Sequence, residues 1–379
     1  MDKINVLKDA NKKLHICDDL SQEKNRNLIF VYCPPKVGST TLVSSIRLSA
    51  PNKFTVLHVH DETMLNVLCG VNNVTINEII RYNKGLGKNV YVIDIYRNPI
   101  EHKISVFFEK IGTYHFNNTE SNINNYNVEK LIQRFNRIFP YLANSDYYRD
   151  VFSIAFPETF DFGRKYINRY IDGIHYIKLR LRDSSEWTRI LRDVLGSNIT
   201  IVNDYETENK PISNIYKRFK EHYRIPQNFL ELIQSCKNMN YYLSPQEIQL
   251  YIQSWKNKQT GEFIALDEKE YKIYNEITRE NQHISDIQRN HYMDVGCSCV
   301  GCSRKRNIIL GKVNRGENVT EAIDHNKAIG EYKKMVVNKK KAKLAALIKT
   351  VNNITIAKKE KLKKNTKNII NNSFGKIVR

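Results

Sequence analysis

No stretch of the 379 residues approaches the ~18 consecutive apolar residues that span a bilayer. The segment Met1 to Leu20 carries Asp2, Lys3, Lys8, Asp9, Lys12 and Lys13 and has no apolar centre, so neither a secretory leader nor an N-terminal anchor is expected. Cysteine is sparse and odd in number: seven residues scattered along the chain suit a reducing compartment, not a disulfide framework. The G-x-x-x-x-G-K-[ST] phosphate loop is also missing. These absences set aside the membrane-spanning and disulfide-stapled classes. The expectation is a cytoplasmic protein, with a viral or bacterial setting fitting best.

Hydrophobic residues make up 41% and charged residues 26%, enough to build a packed core. The formal net charge is +20, but it is unevenly placed. From Cys297 to Arg379 there are 21 Lys+Arg against 5 Asp+Glu, a net of +16, which leaves +4 for the other 296 residues. The basic character therefore belongs to a tail. Three segments are expected: a polar one over 1–26, an α/β domain over 27–292, and a Cys-containing, Lys-rich, partly disordered extension over 293–379.

Three short apolar runs, Asn27 to Cys33, Phe54 to Val59 and Asn89 to Tyr96, read as buried strands. Helical patterns at Ser39 to Ser49, Val74 to Tyr82 and Pro99 to Lys110 alternate with them. Gly112 to Asn127 reads as a loop and Val128 to Phe139 as a helix. A further strand is expected over Gly173 to Leu181, a helix over Ser184 to Leu195 and a last short strand over Asn198 to Val202. Ile215 to Tyr292 is mainly helical, with breaks at Pro226, Pro245 and Gly261. Strands alternating with helices predict an α/β fold, a P-loop-like three-layer parallel sheet with helices on both faces, followed by a helical C-terminal part and the basic tail.

Chemistry concentrates at two strand ends. Cys33-Pro-Pro-Lys-Val-Gly-Ser-Thr-Thr41 joins the first strand to a helix. Such a loop turns backbone N–H groups towards an anion. Lys36 adds a mobile positive charge, Gly38 permits the turn, and Ser39, Thr40 and Thr41 add hydroxyls. The lysine precedes the glycine, unlike the order in a Walker loop. The second group is Tyr96-Arg-Asn-Pro-Ile-Glu-His-Lys-Ile-Ser105. Arg97 follows a strand's carboxyl end, where open α/β sheets bind ligands, and Ser105 lies eight residues further on.

Together these groups resemble the sulfotransferase superfamily. Lys36-Val-Gly-Ser-Thr-Thr41 is similar to its 5′-phosphosulfate loop, with Val37 standing where many members carry a small or polar residue. Arg97-Asn-Pro followed by Ser105-Val-Phe-Phe108 is similar to its 3′-phosphate motif. The resemblance is greatest to the carbohydrate sulfotransferases, including the capsular polysaccharide synthesis family. Asn209-Lys210 ahead of Tyr216-Lys-Arg-Phe-Lys220, and Asn238 to Ile248 followed by Trp255, also resemble that branch. The similarity covers about Asn27 to Lys256.

The resemblance implies 3′-phosphoadenosine 5′-phosphosulfate as donor, and a glycan or another hydroxyl- or amine-bearing acceptor. Residues 36–41 would bind the phosphosulfate, Lys36 would stabilise the leaving phosphate, and Arg97 with Ser105 would hold the 3′-phosphate. The scheme requires no metal. The proton-accepting base is sought in His58-Val-His60-Asp-Glu62, where His60 ranks first, then Glu62, then His58. Alternation along the strand puts both histidines on one face. Lys178, Arg180 and Arg182, also alternating, are secondary candidates for lining the donor or an anionic acceptor.

Two other readings compete. One is a P-loop-like nucleotide kinase, disfavoured by the position of Lys36 and by Asp94 lying inside a strand. The other is an inactive anion-binding module tethered to nucleic acid by the tail, whose lysines can meet any polyanion in a salt-dependent way. Cys297, Cys299 and Cys302, with His291, could form a zinc site, but the tight spacing without a second C-x-x-C favours free thiols.

Overall fold

The computed structural model describes residues 2–70, 73–115, 120–142, 146–203 and 210–280, with a few isolated positions beyond. The chain divides into two compact units, 1–298 with 306–323 and 299–305 with 324–379. The architecture below belongs to the first. His291, Cys297, Cys299, Cys302 and nearly all of the basic tail lie outside the described residues.

The first unit is built on a five-stranded, mostly parallel sheet flanked by helices. Its strands are β1 (Asn27–Tyr32), β2 (Thr55–Val59), β3 (Asn89–Tyr96), β4 (Tyr166–Ile171) and β5 (Ile174–Arg180), in the order β2-β1-β3-β5-β4. Strands β2, β1, β3 and β5 run parallel, and β4 pairs antiparallel with β5 at the edge. The expected all-parallel sheet is thus corrected at one edge.

Alternation along the strands divides the core in two. Leu28, Phe30 and Tyr32 of β1 join one cluster, with Val90 and Val92 of β3; Ile29 and Val31 join the other, with Ile93 and Ile95. The helix Ser39–Ser49 covers the second face through Leu42, Val43 and Ile46, together with Trp187–Leu195. The helices Glu62–Cys69, Ile76–Gly85 and Pro99–Glu109 cover the first. The N-terminal polar segment is also drawn in. Its helix Lys3–Lys13 buries Leu7 and Ala10, and Asn11 pairs with the buried Asn83.

Two local expectations are corrected. The stretch 112–127 contains the short helices Ile111–Tyr114 and Glu120–Ile123. Residues 198–202 form no strand. Their backbone N–H groups instead bond serine hydroxyls of the helix Ser39–Ser49, Thr200 to Ser49 and Val202 to Ser45.

Candidate functional site

The order of the sheet fixes where a ligand can sit. From β1 the chain goes to β2 on one side, then crosses to β3 on the other. The carboxyl ends of β1 and β3 therefore diverge into a crevice, the place where open α/β sheets bind ligands. The segment 33–38 leaves β1 there and Arg97 leaves β3 there.

Prolines 34 and 35 end β1, because neither can donate to a ladder. Lys36 then adopts φ +66° and Gly38 φ +93°. The positive φ of Gly38 is what demands glycine; a Cβ there would also stand 2.5 Å from the tip of the Leu181 side chain, which would have to turn aside. Gly38 caps the helix Ser39–Ser49, whose first turn has no side-chain cap. Val37 turns inward and is buried. Ser39 is buried against the Cys33 thiol, while Thr40 and Thr41 stay half-buried at the helix mouth.

Arg97 locks the two strand ends together. Its Nη1 donates to the Lys36 carbonyl at 2.7 Å. The helix after Arg97 adds two more ties. His102 Nε2 lies 2.8 Å from the Pro35 carbonyl oxygen, and Glu109 Oε2 lies 3.3 Å from Lys36 Nζ. Positions 102, 105 and 109 share one helix face by their three- and four-residue spacing. Ser105, buried to 3% exposure, lies on that face between the two.

The electrostatics are cationic. Glu109 also accepts from Lys210 at 2.5 Å, so one carboxylate serves two lysines beside Arg97. Burial alone would raise the Glu109 pKa; Lys36 and Lys210 outweigh it and bring it down to about 2. Burial lowers the Lys36 pKa, with Glu109 opposing.

The three base candidates separate. His58 and His60 do share a face, with ring centroids 4.6 Å apart. His58 is enclosed, and burial drives its pKa well down. Glu62 is engaged elsewhere: it accepts from Tyr32 Oη at 3.3 Å and from the Ile76 N–H at 3.0 Å. His60 reaches the loop, with Nδ1 2.9 Å from the Cys33 carbonyl oxygen. A carbonyl only accepts, so the proton sits on Nδ1 and the neutral ring keeps its lone pair on Nε2. Burial holds its pKa below 6.5, which keeps the ring in that basic form at neutral pH.

The alternating cations of β5 are structural. Lys178 bonds Asp94 Oδ2 at 2.6 Å and Asp146 Oδ1 at 3.1 Å, all three buried. Arg180 is buried between Asp183 and Glu247, and Arg182 reaches Glu247 from a more exposed position. Asp94 is thus committed to Lys178 and to the Tyr148 N–H. Sequence reasoning missed Glu109 and His102. Their signal was available, since both share the helix face of Ser105.

Beside Arg97 a cavity of about 330 Å³ opens, reaching from Pro34 and Val37 to Leu232 and Asn238. Among the described residues no helix is long and apolar enough to cross a membrane, and no cluster of His, Cys, Asp or Glu has the makings of a metal site. No protein-family profile, curated protein or solved structure matches the chain.

Proposed function

We propose that the protein is a sulfotransferase with a P-loop-like fold, moving a sulfuryl group from 3′-phosphoadenosine 5′-phosphosulfate to a hydroxyl or amine of a carbohydrate-like acceptor. The observation that carries this reading is the bond from Arg97 to the Lys36 carbonyl. It brings a loop suited to one phosphate group and an arginine suited to another into a single crevice. An arginine set beside the anion loop is what a nucleotide phosphorylated on both sides of its ribose calls for. In this scheme His60 Nε2 takes the acceptor's proton as its oxygen or nitrogen attacks sulfur. The bond from sulfur to the bridging phosphate oxygen breaks, and Lys36 stabilises the charge left on that oxygen. Arg97 and Ser105 hold the 3′-phosphate, and the helix N-terminus at residues 38–41 holds the 5′ end.

The test is calorimetric titration of the full chain with adenosine 3′,5′-bisphosphate, AMP and ATP. Loss of a charge-assisted hydrogen bond costs about 1.5–3 kcal/mol. AMP should therefore bind on the order of 10–100-fold more weakly than the bisphosphate. Arg97→Ala should abolish that difference. Binding of ATP as tight as that of the bisphosphate would reject the sulfotransferase reading in favour of a kinase or of tail-driven attraction.

A further inference from the structure

The scheme above leaves a nucleophile beside the crevice unused. Cys236 is a free, half-buried thiol on the wall of the cavity next to Arg97. It lies in the turn between the helices Gln227–Gln234 and Lys237–Tyr242, and its neighbours Ser235 and Lys237 are exposed, so reagents reach this turn from solvent.

Two groups lie close enough to feel the charge of Cys236. Lys103 Nζ donates to the carbonyls of Phe139, Pro140 and Leu142; burial brings its pKa down to about 7, and Cys236 opposes that fall. The Tyr96 hydroxyl is the other. Burial pushes its pKa well up, and among nearby charges Cys236 adds most. This hydroxyl also has no hydrogen-bond partner, although Tyr96 is only 9% exposed and lines the cavity. Native proteins rarely bury a polar group unmet, so it marks a place where a ligand can supply the partner. Asp146 and Lys178 on the same wall are met: Lys178 bonds Asp94 and Asp146, and Asp146 also engages Tyr242.

The cavity thus sets a thiol that can form a covalent bond beside a buried hydroxyl that needs a partner. Its charged lining is cationic on balance, with Arg97, Lys103 and Lys178 against Asp146, and with His102 kept neutral by burial. A carboxylate-bearing chain on the sulfur suits that lining, and an amine-bearing one does not.

We infer that Cys236 is a modification site, which takes a small carboxylate-bearing thiol as a mixed disulfide and thereby closes the cavity beside Arg97. The Cys236 thiolate attacks one sulfur of a low-molecular-weight disulfide, and a new S–S bond forms as the old one breaks. The second sulfur leaves with the electron pair and takes up the proton that Cys236 gave. The disulfide is itself the oxidant, and excess free thiol runs the exchange backwards. In a reducing setting the thiol stays free, and the adduct forms as small disulfides accumulate. The bound chain gives the Tyr96 hydroxyl its partner and sets a carboxylate towards Arg97. The effect on donor binding rests on the sulfotransferase reading, in which Arg97 holds the 3′-phosphate; the modification itself does not.

The test treats the full chain with glutathione disulfide or, at the same concentration, with the amine-bearing cystamine. Adducts are located by peptide mass spectrometry, and each sample is titrated with adenosine 3′,5′-bisphosphate. Glutathione should attach to Cys236 several-fold faster than the cystamine half. Bisphosphate affinity should then fall at least about 10-fold, the cost of losing a charge-assisted bond at Arg97, and return on reduction with dithiothreitol. Cys236→Ser should bind the bisphosphate like wild type and keep that affinity in glutathione disulfide. Tyr96→Phe removes a hydroxyl that has no partner in the free protein, so its melting temperature should hold or rise. Its Cys236 adduct should be released at a several-fold lower thiol-to-disulfide ratio. Labelling of other cysteines that spares Cys236 overturns the site. Equal or faster labelling by cystamine overturns the choice of a carboxylate-bearing thiol, and full bisphosphate affinity with Cys236 modified overturns the closure. If the unmodified protein shows no 3′-phosphate-dependent binding, the sulfotransferase reading falls, while a Cys236 adduct weakened by Tyr96→Phe still upholds the site.

Discussion

The carboxylate of Glu109 holds the ammonium of Lys36 at 3.3 Å, and the same oxygen accepts from Lys210. The lysine proposed to meet the leaving phosphate is therefore tied to a protein anion in the free state, and an incoming donor must compete for it. Glu109→Gln should tighten binding of adenosine 3′,5′-bisphosphate several-fold. It should also cost about 1–3 kcal/mol of stability, because clustered cations lose their counter-charge. The folded pKa of Glu109, about 2, lies below its ordinary 4.5. Its contribution to stability is complete above about pH 4.5 and is lost as pH falls through about 2. Urea unfolding of wild type and variant across acid pH would show the two curves converging. Weaker donor binding in the variant would contradict the competition.

His60 makes a kinetic prediction. Burial keeps its pKa under 6.5 and Cys33 fixes its tautomer. With a sulfated-acceptor assay, kcat/KM should rise with pH to a midpoint below 6.5 and then stay level through about pH 8. His60→Ala should lower kcat by about 10²–10⁴ and remove that acid limb. Survival of the limb in the variant would assign the base elsewhere.

The strands were legible because buried parallel strands read as unbroken apolar runs, as in Asn27 to Tyr32 and Asn89 to Tyr96. The edge strand β4 was not. Tyr166–Ile171 is largely solvent-facing and has no such run. Its clue was the turn that follows: Asp172 and Gly173 both have positive φ, the Asp-Gly pairing of a tight hairpin. The loop 33–41 and Arg97 could be placed together from sequence because each sits at a strand end. Asp146 could not, because it lies in a polar stretch with no periodic pattern and reaches Lys178 only through the fold. The ion pairs of Lys178 and Arg180 were hidden for the same reason. Alternation says which residues share a face, not what lies against that face.

Gly38 tests the loop's backbone. Gly38→Ala places a methyl against Leu181 and holds a side chain at φ +93°. Strain of this kind costs about 1–3 kcal/mol. A fall in melting temperature should accompany a roughly 10-fold loss of bisphosphate affinity. The double variant Gly38→Ala/Leu181→Ala removes the contact but not the dihedral, so it should recover binding only in part. Full-strength binding by Gly38→Ala would show that the loop backbone does not shape the anion site.

Beneath the crevice, Lys178 balances two buried carboxylates, and the cost of losing it depends on pH. Removing one partner of a buried ion pair strands the other and typically costs about 3–5 kcal/mol. Lys178→Met leaves both Asp94 and Asp146 without their cation, so it should show that loss at neutral pH. Burial already raises the Asp94 pKa with the lysine present, and removing the lysine raises it further. Because that folded value exceeds the unfolded one, protonation favours the folded state, and the variant should regain stability as pH falls below neutrality. Urea unfolding near pH 7.5 and near pH 5.5 measures the difference. Adding Asp94→Asn should restore part of the loss at the higher pH, since it removes one stranded charge. A variant as stable as wild type near pH 7.5 would mean that Lys178 is not what holds β3, β5 and Asp146 together under the site.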